Sequence, residues 1–183
     1  MKSVDLTNVQ EAGDFKRPTT GAYICGIYDV EDVADKEYLK VTYDIVEGEF
    51  KGYYKEMREN NPDWAWAGVY VKSYKEKALP MFKRFCTAVS RSNGKFVFDG
   101  GKVNSDEKTL KGKKVGLILG EEEYEGNDGT IKTRLYVVRE FSIDKIKEQK
   151  VPELKKLKVD GPTITGNEGF MQVSDAEVEE IAF

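Results

Sequence analysis

The 183-residue sequence contains no histidine. Its absence removes the side chain that most often acts as general base near neutral pH, activates Ser and Cys nucleophiles, and completes zinc sites. Carboxylates holding a metal ion are the one enzymatic route left to weigh, so the chain is expected not to be an enzyme and to need no cofactor. Cysteine is nearly absent too. Cys25 and Cys86 are the only two, each in an apolar stretch, and such a pair reads as buried reduced thiols rather than a disulfide framework. No run of 18 apolar residues occurs, so no membrane-spanning helix is predicted. Met1-Lys2-Ser3-Val4-Asp5 lacks the apolar core of a signal peptide, and a cytoplasmic location is expected.

Positive charge is missing from one end of the chain. No Lys or Arg follows Lys158, while six of the 33 acidic residues lie from Asp160 onward. The residues before Asp160 therefore carry 29 basic and 27 acidic side chains, about +2, and the remainder carries −6. A mildly basic body bears an acidic tail, and the average pI of 5.2 conceals the division. The tail closes in Glu177-Val178-Glu179-Glu180-Ile181-Ala182-Phe183. It is too acidic and too poor in large apolar residues to fold alone. An apolar tip behind an acidic run is the pattern of a docking peptide, so Glu177, Glu179, Glu180, Ile181 and Phe183 are predicted to bind a partner. The same acids suit the masking of a cationic face.

Composition, 39% hydrophobic and 34% charged, supports one modest core with a heavily solvated surface. Residues 1–20 read as a loose arm, 21–158 as the folded domain and 159–183 as the disordered tail. Tyr23–Tyr28 is a short β run. Glu37–Val46 alternates strictly, with Leu39, Val41, Tyr43 and Ile45 on the core face and Tyr38, Lys40, Thr42 and Asp44 on the other. Phe50–Lys55 is expected to return as a strand, and Asn60-Asn61-Pro62-Asp63 is a loop signal. Trp64–Lys72 is again two-faced: Ala65, Ala67, Val69 and Val71 suit a core, and Trp64, Trp66, Tyr70 and Lys72 suit a flat anionic ligand. Ser73 with Glu76 resembles a capping box opening a helix over Tyr74–Val89, with Leu79, Phe82, Phe85, Cys86 and Val89 inward and Pro80 in its first turn or at its true start. Asn93 or Gly94 ends it. Lys113–Leu119, continued by Glu121–Glu125, and Ile131–Phe141 form a hairpin about Gly126-Asn127-Asp128-Gly129. The charged segment 144–158 is expected to leave the domain. The order predicts a mainly β, α+β protein: a five-stranded OB-like Greek-key barrel with one helix between strands three and four.

Aromatic and basic side chains interleave on the predicted strand faces. Single-stranded nucleic acid offers flat bases to Trp and Tyr, beside phosphates that attract Lys and Arg. Trp64, Trp66, Tyr70 and Lys72 supply both on one strand, Lys132, Arg134 and Tyr136 on another, and Tyr38 with Lys40 on a third. These nine are the candidate DNA-binding residues. Aromatic faces also serve as protein contacts, a homodimer interface included. The cluster Glu121, Glu122, Glu123, Glu125 and Asp128 raises a metal-dependent nuclease, but strand alternation sends Glu121 and Glu123 to one face and Glu122 to the other, so no metal site is predicted.

Several ordered motifs resemble those of a family of small proteins from phages and prophages of Gram-positive bacteria, some of them described as single-stranded-DNA-binding. They are Tyr43-Asp44-Ile45-Val46-Glu47-Gly48-Glu49-Phe50-Lys51-Gly52-Tyr53-Tyr54, Phe82-Lys83-Arg84-Phe85, Val89-Ser90-Arg91-Ser92-Asn93-Gly94, Leu110-Lys111-Gly112-Lys113-Lys114-Val115-Gly116, Glu122-Glu123-Tyr124 before Asp128-Gly129, and Val151-Pro152-Glu153. Separately, Glu179-Glu180-Ile181-Ala182-Phe183 is similar to the acidic tips of bacterial and phage single-stranded-DNA-binding proteins, often Asp-Asp-Ile-Pro-Phe, departing at Ala182 and in Glu for Asp. The resemblance implies sequence-independent single-stranded DNA binding in phage replication or recombination within a bacterial host cell, with a tip that recruits replication or recombination proteins. The competing expectation is a protein-interaction adaptor, or an inhibitor of host replication, that binds no DNA.

Overall fold

A computed structural model describes residues 2–5, 7, 16–100 and 106–157, and the architecture below concerns these. Five antiparallel strands form one sheet: β1 (Gly21–Val33), β2 (Tyr38–Ile45), β3 (Val69–Ser73), β4 (Lys114–Glu125) and β5 (Ile131–Phe141), in the order β3-β2-β1-β4-β5. Two helices accompany them, α1 (Tyr53–Asn60) and α2 (Leu79–Ser92). The chain is mainly β, as its alternating segments predict. No described helix is long and apolar enough to cross a membrane.

β2 follows its sequence pattern on the core face, where Leu39, Val41, Tyr43 and Ile45 are all buried, but Asp44, expected on the other face, is buried too. They meet Cys25 and Ile27 of β1, Val115, Leu117 and Leu119 of β4, and Phe85 and Val89 of α2 in a single core. Each such side chain contributes about 1.5–3 kcal/mol by leaving water. Both thiols are buried and free. Burial, the larger influence, and then Asp44 push the Cys25 thiol far up; burial likewise raises that of Cys86 to about 11.

β3 and β5 are the two edges, and four strand spacings would hold them about 19 Å apart in a flat sheet. Instead Lys72 of β3 makes an ion pair with Glu140 of β5. The sheet is therefore strongly curled, and its edges meet through side chains. Two bulges assist. One falls between Ile27 and Asp29 in β1, the other opposite Ile118 and Leu119, where Val138 is the extra residue of β5. A bulge sharpens twist and shifts side-chain parity by one. Leu135 and Val137 pack on the core; beyond the bulge Glu140, not Arg139, turns inward.

Four further expectations fail locally. Phe50–Lys55 does not return as a strand; α1 starts within it, after Gly48 and Gly52 take φ of +90° and +80°. The start is held by Asp44, whose Oδ1 accepts from Tyr54 N at 3.0 Å and Oδ2 from Lys55 N at 3.2 Å. This cap comes from β2, so no local motif announces it. Second, β3 begins at Val69, leaving Trp64 and Trp66 in the preceding loop. Third, Leu79 of α2 is exposed rather than in the core, and Ser73 caps no helix: its Oγ accepts from Lys75 N, ahead of the 3-10 turn Glu76–Ala78 that precedes α2 and has no side-chain cap. Pro80 lies in the first turn of α2, where a missing N–H costs nothing. Fourth, the segment after β5 does not leave the domain. Ile146 is buried, its Cβ 2.7 Å from where a Cβ on Gly116 would stand, and Lys155 pairs in parallel with the free edge of β4 beside Glu122. The glycine opens the face of β4 that this segment covers.

Candidate nucleic-acid interface

The exposed aromatic surface centres on a pair of rings. Tyr28, the bulge residue of β1, is 50% exposed. Trp66 stacks on it with ring centroids 4.4 Å apart and planes at 23°. Trp66 is held in turn: its Nε1 donates to the Tyr43 carbonyl at 2.9 Å, and two residues on, Tyr43 N donates to the Gly68 carbonyl at 2.8 Å. A Cβ at Gly68 would come within 2.4 Å of the Tyr43 oxygen, so only glycine allows this approach. Arg58 of α1 donates to the Trp64 carbonyl, tying the loop to the helix that Asp44 caps. Trp64 itself is 58% exposed.

Two cations border this pair and the strand beside it. Lys111 Nζ lies 6.0 Å from the Tyr28 ring centroid and 3.9 Å from Asp29. Lys40 faces outward on β2 and meets Glu31 at 3.3 Å. Both pairs are largely solvated, and exposed ion pairs of this kind contribute only ~0–1 kcal/mol. A phosphate can therefore replace either carboxylate at little cost. Tyr38 is half-buried near the same sheet edge, opposite Ser73 of β3.

Tyr70 and Lys72 are elsewhere. The inner face of 64–72 is the opposite of the one expected: Val71 is 53% exposed, whereas Tyr70 packs against Tyr43 and Phe85 with its hydroxyl enclosed. Burial, followed by the nearby Glu140 and Cys25, raises the Tyr70 phenol well above its ordinary value. The Lys72 and Glu140 side chains are 14% and 0% exposed, and Arg84 Nε stands 4.0 Å from the same carboxylate. A buried carboxylate needs its counter-charge in place, so Lys72 is committed to the edge contact and is not available to DNA.

The β5 candidates form a separate surface. Arg134 Nε donates to Glu122 at 2.8 Å and its guanidinium lies 5.3 Å from the Tyr124 ring. The Arg134 hydrogen bond, with Arg134 and Lys155 charge beside it, lowers the Glu122 carboxyl below its usual range. Lys132 meets Asp128 at 2.9 Å, and this bond together with Thr130 holds Asp128 at about 2. Tyr136 is half-buried; a Cβ on Gly120 would lie 3.2 Å from its ring and 3.3 Å from Pro152. The carboxylates have separate partners: Glu121 faces Arg17, Glu122 faces Arg134, and Glu123 accepts from Leu157 N. Glu177, Glu179, Glu180, Ile181 and Phe183 lie outside the described residues.

Of the nine candidates, Lys40 and Trp64 are exposed, Trp66 and Tyr38 are half-buried, and Tyr70 and Lys72 are inside. Lys132, Arg134 and Tyr136 lie on the hairpin. Tyr28 and Lys111 were missed. A signal for Tyr28 existed in the sequence: the apolar residues Cys25, Ile27 and Val30 pass from a spacing of two to a spacing of three, the spacing of a bulge. Lys111 had no such signal, because its position depends on a loop meeting β1. Compared with known proteins, the chain matches no family model and no curated protein.

Proposed function

We propose that this chain binds single-stranded DNA without sequence preference, as an OB-like barrel of the phage type, and that its acidic tail recruits replication or recombination proteins in the host cytoplasm. The observation that carries the reading is the stacked Tyr28–Trp66 pair, in which Tyr28 is half exposed and Trp66 half-buried against the core, with Lys111 against Tyr28. Flat rings beside weakly engaged cations are what a base and its phosphate require together. The strand order supports the barrel: joining edges β3 and β5 of β3-β2-β1-β4-β5 closes the ring of an OB-fold, with α2 between β3 and β4. In that arrangement ligands cross strands two and three, where Lys40 lies on β2 and Trp66 in the loop that leads into β3. Bases stack on Tyr28 and Trp66, while Lys40 and Lys111 exchange their carboxylates for phosphates.

Titration with oligo-dT followed by Trp fluorescence tests this. Quenching is expected, with an affinity that falls linearly in log salt. Trp66→Ala should weaken binding by ~1–3 kcal/mol, the value of one stacked base, whereas Tyr136→Ala should change it little. No quenching and no salt dependence would reject the proposal. An adaptor without a DNA role is the second reading. It is favoured by the pairing of Lys40, Lys72, Lys132 and Arg134 with carboxylates of the chain itself, and the same titration separates the two.

A further inference from the structure

Six cations crowd α2 and its flanks. Residues 75–95 contain Lys75, Lys77, Lys83, Arg84, Arg91 and Lys95 against Glu76 alone, a net +5. A groove of about 1230 Å³ runs beside them, between α2 and residues 97–100, floored by Phe82 and Phe98. Leu79, Lys83, Cys86, Thr87, Ser90 and Arg91 line its helix side. Their spacing places them on one face of α2, so the groove follows the helix for ~18 Å at ~1.5 Å per residue. Its mean cross-section is then ~70 Å², room for one row of side chains and not for a whole second helix. Leu79 continues the apolar stripe of α2 that Phe82 and Cys86 carry into the core, yet it is 47% exposed, and Met81 near it is 49% exposed. The stripe therefore runs past the core and into the groove. Asp99 and Glu107 stand on the facing wall, with Asp32, which the Tyr74 hydroxyl engages at 2.8 Å.

We infer that this groove takes an amphipathic helix of a partner protein, one whose apolar stripe is bordered by Asp and Glu on the side that meets α2. Such a helix presents apolar side chains in a single row at i, i+3 or i+4 and i+7. That row fills the groove over Phe82 and Phe98, while the body of the helix rests on the rims. Its acidic border meets Lys83 and Arg91, both exposed on the α2 rim. The opposite border faces Asp99 and Glu107 and is basic or neutral. The two walls thus carry opposite charge, which fixes the way round in which the helix lies and excludes partners bordered by acid on both sides. An extended peptide is less suited, because strand addition needs an open backbone edge and the backbone of α2 is bonded within the helix. Single-stranded nucleic acid is less suited too, because exposed Leu and Met offer no ring for a base. The inference goes beyond the DNA reading and does not depend on it: the groove is built on α2, whereas Tyr28 and Trp66 stack on β1 and the loop before β3. It gives the folded domain a partner site of its own.

The probe is a blocked synthetic peptide of about 15 residues, long enough to span the groove as a helix, with Leu along its stripe, Glu along one border and Lys along the other. Titrated into the isotope-labelled full chain, it should move the amide signals of residues 79–91 and saturate below ~1 mM. Leu79→Glu, at an exposed position, should weaken binding at least ~tenfold. Lys83→Glu/Arg91→Glu should do the same, its dispersed spectrum reporting that it is folded. A second peptide with Lys in place of the Glu border should regain most of the lost affinity for that charge-reversed variant and bind the unaltered chain poorly. No shift by ~1 mM peptide, shifts centred on Tyr28 and Trp66, or equal affinity for the charge-reversed variant would each overturn the inference. So would loss of oligo-dT binding in that variant, which would make α2 a nucleic-acid surface. An absence of oligo-dT binding by the unaltered chain would reject the DNA reading alone and leave the peptide result to stand by itself.

Discussion

Replacing Glu140 by Leu should be the most damaging single change to a charged residue of this domain. Its side chain is fully buried, and it opposes Lys72, which is only 14% exposed, across the two edges of the sheet. Removing the carboxylate strands an ammonium in the interior. Removing one partner of a buried pair costs ~3–5 kcal/mol, most of it the unpaired charge that remains. Arg84 adds less, since it is 38% exposed at 4.0 Å and water screens it. For a chain of this size each kcal/mol lowers Tm by ~2–4 °C, so Glu140→Leu should melt about 6–20 °C below the parent. The double variant Lys72→Met/Glu140→Leu tests the cause, because an apolar pair of similar volume is often as stable as the ions it replaces. Urea unfolding followed by Trp fluorescence should show most of the single-variant loss recovered, with a coupling of at least ~2 kcal/mol in the cycle. A Glu140→Leu variant within ~1 kcal/mol of the parent would refute the reasoning. So would a double variant no better than the single, since the carboxylate would then be stabilising something other than Lys72.

Two further predictions concern the elements that carry the surface. Asp44→Ala removes the acceptor for the amides of Ile45, Tyr54 and Lys55 and should cost ~1–2 kcal/mol, with hydrogen exchange at residues 53–56 accelerating more than in β2; equal acceleration in both would show that Asp44 does not act as the cap. Asp128 has its folded pKa depressed to about 2 by Lys132 and Thr130, so its hold on the β4–β5 turn is complete above the ordinary carboxyl range and is lost as pH falls from about 4 to about 2. The Thr130 amide shift should titrate with a midpoint near 2, and a midpoint near 4 would remove the bond from solution.

Legibility followed the physical range of each interaction. β2, α2 and the β4–β5 hairpin were readable because their determinants are local: a period of two, a period of three to four with Pro80 in the first turn, and a turn in which Gly129 takes φ of +72°. The candidate surface was half readable. Trp66 and Lys40 could be named as types suited to bases and phosphates, yet their setting could not, because Tyr28 reaches Trp66 only through a bulge and a loop. Tyr70 and Lys72 were misplaced for a related reason. Alternation says which residues share a face and not which face is inside, and the polar end of Lys72 is tolerated inside only because Glu140 arrives from another strand.

By itself the sequence determined a mainly β chain with one core, thiols without a disulfide and a charge division into a weakly basic body and an acidic tail. These depend on composition and on neighbours a few residues apart. The tertiary structure alone decided that α1 replaces a strand, that the 144–157 segment folds back on Gly116 and β4, and that Glu140 joins the sheet edges. Each of those rests on one partner distant in sequence, which supplies a cap, an open face or a counter-charge that no local pattern encodes.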